Sequence, residues 1–379
     1  MPWKEVTPMS EREELVRQAE EGWVSMSEMC RAYGVSRKTG YKWLRRYREG
    51  GLKGLADQSR RPQHSPRRTE PEMEQVIIEA RQAHPAWGGR KLKRYLERQG
   101  AGAVPQPSTI TEILRRHGLL EADETVKQRA YRRFERAKPN ELWQMDFKGH
   151  FELGSGARCH PLTVLDDHSR FLVGLQACCN ETEETVRACL TGLFRAFGLP
   201  ERMLMDNGAP WGDDPDTPFT ALTVWLLRLG IPVSHGRPRH PQTQGKDERF
   251  HRTLDDELLS RSTLSDFPAC QAAFNHLWQV YNYERPHEAL AFDTPAQHYQ
   301  PSSRLFLEVL PPLLFPAGAA IRCVDPTGRI SIHGHRLRVS RAFKNLAVGV
   351  LPDQAEDGLF HVFFNDILVR TLDLRLLES

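Results

Sequence analysis

The hydrophobic and polar positions divide the chain into a helical front, a mixed middle and a β-rich tail. In residues 11–48, apolar positions recur at helical spacing in three segments, and each segment is followed by a glycine. Ser25 or Ser27 can cap the second segment, and Ser36 can cap the third. The order of a helix, a tight turn and a basic helix predicts a helix-turn-helix domain over residues 1–58.

The third helix of that domain carries most of its predicted DNA contacts. We expect Val35, Tyr41 and Leu44 to pack inward, which leaves polar side chains to enter the major groove. A plain three-helix bundle fits the same periodicity. The predicted groove contacts are Ser36, Arg37, Lys38, Thr39 and Lys42, and the predicted phosphate contacts are Arg45 and Arg46.

Residues 59–120 predict a basic linker and a second helix-turn-helix domain. The linker is rich in Pro, Ser and Arg, a composition that can track a DNA groove in extended form. Three amphipathic segments follow, and Ser108 is placed to cap the last. Residues 121–138 are charged and poor in aliphatic side chains, so they predict a connecting linker. The predicted DNA contacts are Arg60 and Arg61 in the first linker, and Thr109, Thr111, Arg115 and Arg116 in the last helix.

Strands and helices alternate from residue 139 to residue 300. Residues 143–147 alternate between apolar and polar positions, a strand pattern that places Asp146 on the polar face. Two strands joined by the polar turn at 166–170 come next, followed by helices and short strands in turn. This order predicts a mixed α/β sheet with helices packed on it.

The tail, residues 301–379, has a different pattern. Short β runs are separated by Asp-Pro, Gly-His, Asp-Gly and Asn-Asp turns, which predicts a small β-barrel or sandwich. The predicted fold class is therefore a multidomain α+β chain with tandem helix-turn-helix units, a central α/β core and a small C-terminal β-barrel.

The charge is distributed unevenly along the 379 residues. Residues 1–140 carry 29 Lys+Arg against 19 Asp+Glu, a net charge of +10, and the remainder carries 23 against 30, a net charge of −7. A basic front on an acidic body suggests a polyanion-binding arm joined to another activity. A well-solvated helical region would give the same charge.

The remaining composition excludes several classes of protein. The seven cysteines form no CxxC pair, so neither a zinc knuckle nor a disulfide framework is supported. No apolar run approaches the roughly 18 residues of a membrane span, and the N-terminus lacks an apolar signal core. We expect a cytoplasmic protein with no membrane partner.

Three acids stand out as candidates for chemistry. Asp146 lies within a strand pattern, Asp206 follows a short buried strand, and Glu248 lies in the first turns of a helix. Carboxylate oxygens with few other ligands suit Mg²⁺ or Mn²⁺. Two such ions about 3.5–4 Å apart can hold both sides of an in-line phosphoryl displacement. If the fold gathers the three acids, they predict a two-ion site acting on phosphodiesters.

The sequences around these acids resemble the retroviral-integrase-like DDE transposases of bacterial insertion sequences. The blocks WQMDFKG, TVLDDHSRF, MDNG, HPQTQGKDERFHRTL and YNYERPHEAL follow one another in that family's order over about residues 139–300. The resemblance implies an RNase H-like integrase core, dependence on Mg²⁺, and cutting and joining of DNA at element ends. It carries Asp146, Asp206 and Glu248 over as the metal-binding catalytic acids.

Further expectations follow from that resemblance, and the first is that the cytoplasmic protein is bacterial and nucleoid-associated. We expect double-stranded DNA as substrate, namely element ends and target DNA, and at least a homodimer on DNA, because two ends must be handled together. Lys246, Arg249 and Arg252 flank the third acid and are predicted DNA contacts. Two alternatives stay open, a co-opted DNA-binding regulator without catalysis and a nuclease that cuts but never joins.

The chain departs from the family's pattern in two places. Asp247 stands where an apolar residue is usual, and this fourth acid either faces solvent or perturbs the metal site. The acidic segment at 212–217 lengthens the interval between Asp206 and Glu248, and a surface loop is the favoured interpretation.

Overall fold

A computed structural model describes residues 7–57, 68–120, 135–206, 219–235 and 245–377. The chain forms two compact units, residues 1–68 and residues 69–379. In the described part of the chain, no helix combines the length and the apolar character that a membrane crossing requires.

The first unit contains the predicted helix-turn-helix domain. Its helices are α1 (Pro8–Glu21), α2 (Met26–Ala32) and α3 (Arg37–Gly50), followed by a 3₁₀ turn. The hydroxyls of Ser25 and Ser36 accept hydrogen bonds from the backbone N–H groups of Glu28 and Thr39 and so cap α2 and α3. The core of the domain consists of Leu15, Val16, Trp43, Leu44 and Leu55.

The expected inward packing of Tyr41 is wrong. Its side chain is 58% exposed, and Gly40 takes the inward position instead. A Cβ atom on Gly40 would lie 2.5 Å from the Cys30 sulfur and 2.8 Å from the Met26 sulfur. This close approach of α3 to α2 turns the next residue, Tyr41, toward solvent.

The second helix-turn-helix domain begins the second unit. Its helices are α4 (Pro71–Ala83), α5 (Gly89–Arg98) and α6 (Pro107–Arg116). The expected cap at Ser108 is wrong, because α6 begins one residue earlier at Pro107, whose fixed φ suits the first helical position. The domain's core contains Ile77, Trp87, Leu92 and Ile110, and it includes Val280 from the central domain.

The central domain is the predicted mixed sheet. The order β2-β3-β1-β5-β6 is extended by β4, which pairs with β3. β1 is antiparallel to β3 and parallel to β5, and β5 is parallel to β6. The strands are β1 (Trp143–Phe147), β2 (Phe151–Glu152), β3 (Arg158–Asp166), β4 (Leu172–Cys178), β5 (Met203–Met205) and β6 (Val233–His235).

Helices cover both faces of this sheet. One apolar cluster joins α7 (Glu183–Phe197) and α8 (Ala221–Arg228) to Trp143 and Met145 of β1. A second joins α9 (Gly245–Leu254) and α10 (Phe267–Gln279) to β3 and β4. A π-helical turn follows each of these last two helices, over Asp255–Leu259 and Val280–Glu284.

The tail forms the predicted small β domain as two sheets around one core. A four-stranded sheet has the order β12-β11-β10-β7, and β8 and β9 form a hairpin. Its core includes Val224 and Leu227 of α8, so this domain packs on the central one. The strands are β7 (Ala320–Cys323), β8 (Arg329–Ile332), β9 (His335–Arg338), β10 (Ala347–Pro352), β11 (Leu359–Phe364) and β12 (Ile367–Asp373).

Candidate active site

Two of the three candidate acids lie on neighbouring parallel strands. β1 and β5 pair in the register Trp143↔Met203 and Gln144↔Leu204. Continued by two residues, that register places Asp146 of β1 beside Asp206, the residue after β5. The sheet thus brings together two acids that are 60 positions apart in the sequence.

Asp146 lies in a strongly acidic environment. Burial, opposed by a backbone hydrogen bond from Phe147 and assisted by the nearby carboxylates of Asp206, Glu181 and Glu248, raises its pKa to about 6. All three predicted acids are therefore near enough to interact electrostatically.

Helix α9 is tied to the sheet beside Asp146 through Thr163 and His251. Thr163 of β3 is the cross-strand partner of Asp146, and its hydroxyl donates to the Asp146 carbonyl oxygen at 3.0 Å. His251 Nε2 lies 3.0 Å from the same hydroxyl oxygen. Because that hydroxyl has only one proton to give, Nε2 must carry a proton and donate it. Burial and nearby Lys148 lower the pKa of His251 to about 4, so the ring is neutral at physiological pH.

Lys246 lies in the fold rather than at the DNA-facing surface expected from the sequence. Its ammonium binds the Asp167 carboxylate and donates to the Asp167 carbonyl oxygen at 3.1 Å, and only 17% of its side chain is exposed. Asp167 is fully buried and also accepts from Gln144 Nε2 at 2.6 Å and from the Arg136 N–H at 2.8 Å. Lys246 thereby fastens the start of α9 to β1 and the β3–β4 turn.

The adjacent acids Asp247 and Glu248 have opposite environments. Glu248 is exposed, as are Arg249 and Arg252. Asp247 is fully buried, and within the described part of the chain neither of its carboxylate oxygens has a hydrogen-bond partner. Burial, followed by the charges of Asp146 and Asp167, raises the pKa of Asp247 well above its usual value. Sequence reasoning left the direction of this side chain open.

The donor set fits a divalent cation in its chemistry. Asp146, Asp206 and Glu248 supply hard oxygen ligands, and the unpartnered oxygens of Asp247 lie beside Glu248 in the sequence. Within the described ranges, no three His, Cys, Asp or Glu side chains are close enough to share one ion. Residues 207–218 and 236–244, which adjoin Asp206 and α9, lie outside those ranges.

The turn at 166–170 is structural, as the sequence predicts. The Asp166 carboxylate accepts from the Ser169 N–H at 2.8 Å, the Ser169 hydroxyl at 2.6 Å and the Asn140 N–H at 2.7 Å. These bonds close the β3–β4 hairpin and hold the chain that enters β1.

The predicted DNA contacts of the first domain lie mostly at its surface. Ser36, Arg37, Lys38, Lys42 and Arg45 are exposed, while Thr39 and Arg46 are half-buried. The Arg46 guanidinium lies over the Trp43 ring at 5.2 Å. Arg60 and Arg61 lie outside the described residues.

The basic side chains of the second domain are largely paired with acids. In α6, Arg115 binds Glu112, and Arg116 Nη2 lies 2.9 Å from the buried Glu74. Thr109 is exposed. The Thr111 hydroxyl donates to the Pro107 carbonyl oxygen at 2.8 Å. In α5, Arg90 pairs with Glu288 at 3.3 Å, and Arg94 and Arg98 each lie 3.5 Å from Asp293. The sequence analysis did not predict these α5 contacts, because no local pattern in α5 indicates which distant acids its arginines would pair with.

Comparison with protein families accounts for most of the chain. Residues 11–63 match a helix-turn-helix domain, and residues 39–114 match a homeodomain-like domain. Residues 136–241 and 229–295 match integrase core domains. Residues 319–378 match the C-terminal domain of the IS481 family of transposases. The chain belongs to the insertion-sequence transposases that carry an integrase core.

Individual relatives of the transposase are similar over smaller spans. It is 26% identical over 230 residues to an uncharacterized 31.7 kDa protein of insertion element IS407 from Burkholderia multivorans, covering 58% of this chain and 78% of that protein. It is 28% identical over 153 residues to a Gag-Pro-Pol polyprotein of Sheep pulmonary adenomatosis virus, covering 38% of this chain and 8% of the polyprotein. A chain of the simian T-cell lymphotropic virus intasome aligns at 17% identity, with a TM-score of 0.37, over 76% of this chain and 99% of its own length.

Proposed function

We propose that this transposase cuts DNA at the ends of its insertion sequence and joins the freed 3′ ends to target DNA, with Asp146, Asp206 and Glu248 as the catalytic acids. The observation that carries the proposal is the partial burial of Asp146 beside Asp206. Burial, followed by the charges of the neighbouring carboxylates, raises the pKa of Asp146 to about 6. A cluster of mutually repelling carboxylates in a partly buried site is suited to cation binding.

Asp146, Asp206 and Glu248 would hold the divalent ions, Mg²⁺ or Mn²⁺, and two ions are expected. When bound, such ions activate the attacking oxygen and stabilise the leaving one. Arg249 and Arg252 are exposed on α9, one and four residues after Glu248, where their guanidinium groups would bind DNA phosphates. The Thr163–His251 and Lys246–Asp167 contacts hold α9 against the sheet and so fix where Glu248 stands relative to Asp146.

The chemistry requires no protein nucleophile. A water oxygen attacks the phosphorus at the element end, the bond from phosphorus to the 3′ oxygen breaks, and the element retains a 3′-hydroxyl. That hydroxyl then attacks a target phosphodiester and releases a target 3′-hydroxyl. Each step exchanges one phosphorus–oxygen bond for another, so no external energy source or co-reactant is needed.

The first helix-turn-helix domain is proposed to bind the element ends, chiefly through the predicted contacts on α3. Two ends must meet for joining, so the working form is proposed to be at least a dimer on DNA. Affinity that depends on phosphate contacts should fall steeply as salt concentration rises, because DNA binding releases counterions.

A strand-transfer assay tests the proposal. The purified protein, Mg²⁺, labelled DNA from the inverted repeats that flank the gene, and a supercoiled target plasmid are incubated together, with Asp206→Asn as the control. We expect labelled ends joined to the plasmid by the wild-type protein only. Cut ends without joined product would identify a nuclease, and end binding without any cutting would identify a co-opted regulator.

A further inference from the structure

Asp247 is a titratable side chain buried in the interior of the central domain. It is 0% exposed, and neither carboxylate oxygen has a hydrogen-bond partner among the residues that the structure describes. Burying a carboxyl without such partners is strongly unfavourable, and protonation does not provide an acceptor for the added proton. A bound cation would satisfy both of its oxygens.

The contacts of α9 place Asp247 against the face of β1 that carries Asp146. On one side of Asp247, Lys246 binds Asp167, which in turn accepts from Gln144 of β1. One helical turn further on, His251 bonds Thr163, the cross-strand partner of Asp146. Residues 247 and 251 share a helix face, so Asp247 lies between these two attachments. Gln144 and Asp146 share a strand face in the same way.

The lysine side chains described near the two acids are paired with other carboxylates. The Lys246 ammonium is bound to Asp167, and the Lys148 ammonium is 2.7 Å from Asp255. Both of the lysines near the site are thus occupied by other carboxylates. Asp247 lies near enough to Asp146 for the two carboxylate charges to repel each other.

We propose that Asp247 is a fourth carboxylate of the cation site, facing Asp146 and binding the divalent ion together with it. The inference rests on the proposed function, because it assumes that Asp146, Asp206 and Glu248 hold such an ion. A divalent cation supplies positive charge, and it satisfies carboxylate oxygens that the surrounding side chains leave without partners.

Binding of Mn²⁺ to the full-length, DNA-free protein tests this assignment. Free Mn²⁺ is measured by electron paramagnetic resonance for the wild type, Asp247→Val, Asp247→Asn and the matched control Asp256→Asn, an exposed acid that follows the same helix. We expect both Asp247 variants to raise the Kd about 10- to 100-fold, and the control to match the wild type. In EDTA, Asp247→Val should melt about 2 °C or more above the wild type, because it removes an unpartnered buried carboxyl.

The outcomes separate the possible roles of Asp247. A Kd within twofold of the wild type for both Asp247 variants would overturn the inference and leave Asp247 as a buried neutral acid. The variants Asp146→Asn, Asp206→Asn and Glu248→Gln, measured in parallel, distinguish that result from a failure of the proposed function. If they weaken Mn²⁺ binding while the Asp247 variants do not, only the role of Asp247 fails. If they too leave binding unchanged, the proposed cation site itself fails.

Discussion

The two helix-turn-helix domains have similar basic helices but use them differently. In the first, Arg37, Lys38 and Lys42 lie exposed along α3. In the second, the three arginines of α5 turn toward the 285–293 segment of the central domain, where they meet Glu288, Asp293 and the Phe292 carbonyl oxygen. A similar basic composition therefore accompanies an exposed helix, with predicted DNA contacts, in the first domain. In the second domain it accompanies attachment to the central domain.

The attachment of the second domain combines ion pairs with apolar burial. Half-exposed ion pairs contribute only about 0–1 kcal/mol each. Trp87 is 1% exposed, stacks on His84 at 3.7 Å and shares its cluster with Val280 from the π-helical turn. The apolar contact supplies most of the stabilisation, and the arginines fix which way the domain faces.

The largest expected effect is on DNA affinity, and it distinguishes the basic helix α3 of the first domain from α5 of the second. Lys42→Ala with Arg45→Ala should weaken binding to element-end DNA about 100-fold at constant salt, because each side chain is predicted to contribute roughly 1–3 kcal/mol of DNA contact. The matched pair Arg94→Ala with Arg98→Ala removes the same charge from α5 and should change the affinity less than threefold. Fluorescence anisotropy measures both. Equal losses in the two double variants would refute the comparison.

An intermediate effect is expected at the attachment of α5. Asp293→Arg places a like charge against Arg94 and Arg98 and should reduce the free energy of unfolding by about 1–2 kcal/mol. Hydrogen exchange should then be faster in α4–α6 than in the rest of the second unit. Reversing the arginines as well, with Arg94→Asp and Arg98→Asp, should restore protection. Unchanged exchange in α5 after Asp293→Arg would show that the ion pairs do not hold the domain.

The smallest expected effect concerns Tyr41, which lies on the solvent-exposed face of α3. Tyr41→Phe removes one hydroxyl and should reduce affinity for the element end about three- to fivefold, the equivalent of one hydrogen bond of roughly 1 kcal/mol. Affinity for unrelated DNA should stay the same, which competition binding can measure. A parallel loss on both DNAs would mean that Tyr41 does not read the sequence.

Local features of the first domain could be predicted well from its sequence. Ser36 caps α3 through a hydroxyl that reaches only three residues along the chain, and glycine ends α1 through its own backbone freedom. The direction of Tyr41 could not be predicted in the same way, because it depends on the fit of Gly40 against Cys30 and Met26 of another helix.

The same distinction applies to the candidate active site. The positions of Asp146 and Asp206 follow from strand patterns that the sequence shows plainly. The burial of Asp247 depends instead on how α9 is rotated on the sheet, which is fixed by Phe250 and Leu254 packing in the cluster shared with α10. The binding of Lys246 by Asp167, about 80 residues earlier in the chain, has the same non-local origin.

The most direct test of the account is single-turnover cleavage of one labelled element end in Mg²⁺. The rates are compared for the wild type, Asp146→Asn, Asp206→Asn, Glu248→Gln and the control Asp256→Asn. We predict that the control cleaves like the wild type and that each of the three others loses about three orders of magnitude in rate, equivalent to roughly 4 kcal/mol of transition-state stabilisation. A rate within threefold of the wild type for any one of those three would contradict the assignment of catalysis to these acids.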